Sequence, residues 1–201
     1  MERFKQRMVT ANISYQISVS RGIEMFKINY RIVLEENEDI STMDIKSFNE
    51  QVYDIYGQFE IVINELHEGY VDDCLPFGIE IITFWLRLLN QAAIALQKKS
   101  YVAFWIPETD SFWIEMTCKE NTVLVRIVEL IKYSDVLKCH IISEHHEVFK
   151  NKTEFTSVSK EEVINEIKRV TQTFIKDIEM INDNLLSSEV INEIIELNKQ
   201  M

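Results

Sequence analysis

Glycine and proline are scarce in this chain, four and two among 201 residues. That scarcity excludes the Gly-rich loops that cradle phosphates in nucleotide-binding folds, and it predicts long regular elements. Only three cysteines occur, Cys74, Cys118 and Cys139, widely spaced and without a CxxC pair. An odd, scattered set gives no disulfide framework, and a reducing compartment, the cytoplasm, is expected. The basic residues at the start, Arg3, Lys5 and Arg7, have no apolar run behind them, so no secretory signal is expected. No HExxH, GxSxG or Gly-containing calcium loop is present, and none of the cysteines carries the local signature of a catalytic thiol. No catalytic residue, metal ligand or cofactor is therefore assigned, and the chain is not expected to be an enzyme.

What is abundant is acid, and it is concentrated. The chain carries a net charge of −12, and residues 35–73 hold twelve acids against the single base Lys46. A field gathered in this way can steer a partner of opposite sign, whereas dispersed charge mainly keeps a protein in solution. Nucleic acid is not expected as a partner, because no basic stripe exists beyond the N-terminal segment.

Hydrophobic periodicity divides the chain. Ile13, Tyr15, Ile17 and Val19 alternate with polar residues, and after Gly22 so do Phe26, Ile28, Tyr30, Ile32 and Leu34. Period two predicts an antiparallel hairpin over residues 1–34 with one face on a core. Residues 35–73 form the acidic segment, with a third strand predicted at Phe59–Ile63 whose partners Asp54, Gln58 and Glu60 face solvent. Residues 76–130 read as a helix over Ile79–Lys98 followed by a meander. The helix is apolar except for a stripe of Glu80, Thr83, Arg87, Asn90 and Gln91, and so is buried around most of its circumference. No membrane span is expected from it, since Glu80 and Arg87 would each cost about 2.5–3.5 kcal/mol at a bilayer centre. The meander strands are Tyr101–Ile106, Phe112–Cys118 and Val123–Ile127, with further strands predicted at 136–142 and 154–158. Residues 159–201 are helical. Ser159 and Glu162 have the spacing of a capping box, and apolar residues recur every three or four positions from Val163 to Ile181. A break at 182–184 leads to a second helix. The predicted fold is a single α+β domain over residues 1–201. It has an antiparallel, meander-rich sheet of about six strands, a buried central helix on one face and a C-terminal helical hairpin.

Two residue groups besides the acids invite a function. Trp105 and Trp113 fall on the strand face opposite the apolar set; if that face is uncovered, the pair marks a binding patch. Trp85, Phe104 and Phe112 read as core. His140 and Glu144, four apart, would share one face of a helix as metal ligands can, with His145, His146 and Glu147 beside them. A solvated turn explains the same run, because adjacent histidines point apart.

The segment from Asp72 to Glu129 resembles a loosely defined group of small bacterial proteins, some similar to the immunity proteins of toxin systems. The resemblance rests on Val71-Asp72-Asp73, the apolar helix Ile79–Leu96, Phe104-Trp105-Ile106-Pro107-Glu108 and the run Phe112–Val128. It implies a protein that binds and blocks another protein, and it transfers no site residues. The expected function is thus a cytoplasmic binding protein of immunity type. Its acids Glu35, Glu36, Glu38, Asp39, Glu60, Glu65, Asp72 and Asp73, with Trp105 and Trp113, would engage a basic partner such as a toxin. One alternative is a metal-binding or hydrolytic enzyme using His140–Glu147. Another is a scaffold or homodimer joined through an edge strand or the C-terminal helices.

Overall fold

A computed structural model describes residues 25–34, 39–72, 74–75, 77–132 and 139–201. The predicted first strand at 13–19, Glu35, Glu36, Glu38 and Asp73 lie outside these residues. Two antiparallel sheets carry the fold. In the first, β1 (Phe26–Ile32) and β3 (Leu66–Tyr70) flank β2 (Tyr56–Ile63), which also pairs with β4 (Glu80–Ile81). The second has six strands. Its order is β10 (Thr156–Ser159), β7 (Thr122–Leu130), β6 (Phe112–Lys119), β5 (Tyr101–Trp105) and β8 (Ile141–Ile142), with β9 (Phe149–Asn151) also on β7.

The helices are α1 (Ile45–Ser47), a single turn continued by a π-type turn over Phe48–Val52; α2 (Ile82–Leu96); α3 (Lys160–Asn182); and α4 (Glu189–Lys199). A 3₁₀ turn over Asp183–Ser187 joins the last two. The α+β class, the six-stranded meander sheet, the buried helix and the C-terminal helical pair are as the sequence predicts. The four-stranded sheet is additional. It arises because the third strand begins at Tyr56 rather than Phe59 and gains neighbours on both sides.

One core joins both sheets and three helices. Ile28, Phe59, Ile61, Leu86, Leu89, Phe104, Met116, Val125, Phe174 and Ile194 belong to it. Phe59 stacks on Trp85 with ring centroids 5.1 Å apart. The polar stripe expected along α2 is not a solvated face. Thr83 and Asn90 are fully buried; Thr83 donates to Asp54 at 2.6 Å and Asn90 to Thr171 at 2.8 Å. Each donation ties α2 to another element and pairs a buried donor, while the Oδ1 of Asn90 is buried without a partner among the described residues.

Helix α2 starts three residues later than predicted because Glu80 and Ile81 pair with Gly57 and Tyr56. Gly57 is needed there, since a Cβ would stand 2.1 Å from the Arg31 carbonyl oxygen. At the N-terminus of α3 the capping-box contact is not made. Ser159 caps without a side-chain bond, and Glu162 turns instead to the amide of Phe26 at 3.2 Å. At the other end Asn182 donates to the carbonyls of Ile40 and Met43, tying α3 to the stretch 40–43.

Among the described residues, no helix is long and apolar enough to cross a membrane.

Candidate binding groove

An open concavity follows β1. In that strand Lys27, Asn29 and Arg31 pair with Val62, Glu60 and Gln58, and the Val33 amide donates to Tyr56 at 3.3 Å. Strand geometry then turns the backbone groups of Phe26, Ile28, Tyr30 and Ile32 away from β2. Helix α3 runs beside this outer edge. Glu162 accepts from the amide of Phe26, Glu166 accepts from that of Ile28 at 2.9 Å, and Arg169 donates to the Ile28 carbonyl at 3.2 Å. Arg169 is in turn held by Glu166 at 2.6 Å. These side chains occupy ladder positions that a neighbouring strand would take, one of the ways edges are protected.

The groove so formed has a volume of about 1010 Å³. Its walls are β1 on one side and Val170, Thr173, Asp177, Met180 and Ile181 of α3 on the other. The Tyr30 hydroxyl donates to Asp177 across it. Burial and the Asp177 charge push the Tyr30 phenol far above its ordinary range. Met25, Leu34 and Met180 stand exposed along its length.

Of the acids singled out from the sequence, the described Asp39, Glu60, Glu65 and Asp72 do not form one ring. Strand β2 is interior to its sheet, not an edge, so its two ends separate them. Glu65 is exposed in the β2–β3 turn, beside Asn64, whose positive φ of 55° makes that turn. Asp72 lies near the opposite end, where its amide donates to Gln58 at 2.9 Å and its carboxylate accepts from the amide of Cys74. Asp39 is also exposed. Bonds from the hydroxyls of Ser41 and Thr42 hold its carboxyl below the usual range. Glu60 is half-buried on the groove, accepting from Asn29 at 2.7 Å and contacting His67 at 3.1 Å. The solvent-facing Gln58 of the prediction is fully buried. It ties Leu75 and Phe77 to the sheet through their carbonyls. Asp54 is likewise engaged, by Thr83.

The Trp105–Trp113 patch is not exposed. Trp113 is 1% accessible, packed on Phe149 at 5.5 Å between ring centroids. The segment 139–151 covers that face of the second sheet, giving a second small core with Tyr101, Ala103 and Val128. Trp105 is half-buried, stacked on His140, and donates to the carbonyl of Thr109. Trp113 is therefore removed from the candidate binding residues, because a buried ring cannot meet a partner. The histidine run is not helical, so the shared helical face of His140 and Glu144 does not exist. His140 rests on Trp105 and Phe84, and His145 on Tyr101 at the other end of β5. Among the described residues no three metal-ligating side chains converge.

Two clusters were not foreseen. Glu115 is 1% accessible; it accepts from Tyr101 at 3.0 Å and is ion-paired with Arg126, whose guanidinium lies 4.0 Å from the Phe155 ring centre. Burial first, and then Glu115, push the Tyr101 phenol well up. Glu68 and Glu80 also have carboxyls raised by burial. Glu80 is raised further by the charges of Glu108 and Glu68, and partly offset by a hydrogen bond from Trp85. The only sequence signal for Glu115 was an acid in mid-strand between Ile114 and Met116, which alternation assigns to solvent.

No family model, curated protein or solved structure matches the chain.

Proposed function

We propose that the protein binds and occludes a basic protein partner, in the manner of a cytoplasmic immunity-type inhibitor, through the groove beside β1. The observation that carries this reading is the groove itself: it is open, about 1010 Å³, and has Glu60, Glu166 and Asp177 in its walls beside Lys27, Arg31 and Arg169. That volume is at the upper limit of small-molecule sites. An open channel beside a strand suits a polypeptide. The net charge of −12 supplies long-range attraction for a cation-rich surface and repels an anionic one. Exposed Glu65 and Asp39 and half-buried Asp72 add to that field without needing to touch the partner.

The mechanism is steric: charge speeds the encounter, and the bound surface of the partner is hidden. The test is co-purification with the product of the adjacent gene. A complex whose affinity falls as salt rises supports the reading. No complex, or one indifferent to salt, overturns it.

A further inference from the structure

We propose that the partner enters the groove as an added β-strand on the Tyr30–Ile32 half of β1, which rests on the binding function proposed above. The outer edge of β1 is divided. Its first half is occupied, since Phe26 and Ile28 are bonded to Glu162, Glu166 and Arg169. Tyr30 and Ile32 turn their backbone groups the same way, and among the described residues no strand but β2 pairs with β1. A half-edge left open beside a groove is the template that strand-adding peptides use: main-chain bonds hold the segment, and alternate side chains are read by the walls.

The walls specify the segment. Leu34 is 52% accessible and Met180 77%, and with Ile181 they line the apolar side of this half. Asp177 is the charged α3 residue opposite Tyr30. Of the groove's cations, Lys27 and Arg169 lie at the occupied half, where Glu166 holds Arg169, and Arg31 donates to Gln58 and the Leu75 carbonyl. Successive side chains of a strand point to opposite faces. Meeting exposed apolar side chains and Asp177 on a chain of net charge −12, the fitting occupant is an extended segment that combines apolar residues with Lys or Arg.

The experiment is amide hydrogen exchange by NMR on the full chain, with two end-blocked peptides as probes, one alternating valine with lysine and one alternating valine with glutamate. The amides of Tyr30 and Ile32 should exchange freely in the protein alone. They should slow at least about ten-fold with the lysine peptide and remain unchanged with the glutamate peptide. Ile32→Pro removes only the outward N–H and leaves the β2 ladder of Arg31 and Val33 in place. It should abolish lysine-peptide binding, while Ile32→Ala retains it. Protection of both amides before any peptide is added would mean that a second copy or residues 1–24 already cover the edge, and would overturn the proposal. So would absence of protection by the lysine peptide, or unchanged binding by a folded Ile32→Pro. The wild-type exchange decides the matter even if that variant fails to fold. If the adjacent gene's product binds in a salt-dependent way while these amides stay unprotected, strand addition alone is refuted and the occluding function stands.

Discussion

Glu166 accepts a hydrogen bond from the Ile28 amide at 2.9 Å, across 138 residues of sequence, and so stands in for a strand at the edge of β1. Glu162 does the same for Phe26. Replacing both by alanine leaves two strand amides without their carboxylate partners and releases Arg169. The sites are partly solvated, so we expect a loss of about 1–3 kcal/mol for the pair. Urea denaturation measures it. The double variant should also associate more readily, because Phe26 and Ile28 become open to pairing. Unchanged stability would show that water replaces the carboxylates at no cost.

Glu115 carries a heavier structural role. Removing it by Glu115→Ala strands the Arg126 guanidinium and the Tyr101 hydroxyl against a covered sheet face. Breaking a buried pair from one side costs about 3–5 kcal/mol. Arg126 retains some solvent access, with 16% of its side chain exposed, so the lower end is expected. Chemical denaturation of Glu115→Ala beside Glu115→Gln separates charge from shape. Glu115→Gln keeps an acceptor and should lose less.

Alkaline pH should weaken the fold. The phenols of Tyr30 and Tyr101 have folded-state pKa values raised above their ordinary value, mainly by burial. A raised pKa means the native state holds its proton more tightly than the unfolded chain. Stability is therefore complete below the unfolded phenol pKa of about 10 and is lost as pH rises beyond it. Thermal melts against pH should show the decline, and Tyr30→Phe with Tyr101→Phe should flatten it. An equal decline in the double variant would place the effect elsewhere.

Glu68 and Glu80 predict the complementary behaviour. Their carboxyls are raised by burial, so ionising them at neutral pH works against folding. Their favourable contribution is complete below the unfolded carboxyl pKa of about 4.3 and disappears as pH rises through the higher folded value. Glu68→Gln should thus stabilise the protein at pH near 7 and confer no gain in acid. Melting temperatures at the two pH values decide it; destabilisation at neutral pH would show that Glu68 has a partner that needs its charge.

Much of the fold was legible because its signals are local. Strands β6 and β7 alternate, β5 is a short run dense in apolar residues, and the break at Asn182 falls where periodicity stops. What escaped depends on distant segments. Alternation places Trp113 and Glu115 toward solvent, since a single strand carries no record of what covers its second face. The covering strands β8 and β9, two and three residues long, are too short to announce themselves. The capping box at Ser159 failed for a similar reason: Glu162 has a better use at β1, and local spacing cannot weigh a bond formed 136 residues away. Of the acidic segment, the sequence conveyed the charge but not its distribution, because β2 lies inside its sheet and sends Glu65 and Asp72 toward opposite ends. The groove itself has no sequence signature, being the product of where α3 settles along β1.

The most direct test of the occluding function is the dissociation constant for the adjacent gene's product, measured by titration calorimetry for the wild type and for the combined variant Glu60→Lys, Glu65→Lys and Asp72→Lys. The account predicts that the reversals weaken binding by about ten-fold or more, near 1.4 kcal/mol, and that the difference between the two proteins shrinks at high salt. Equal constants at low salt would contradict it.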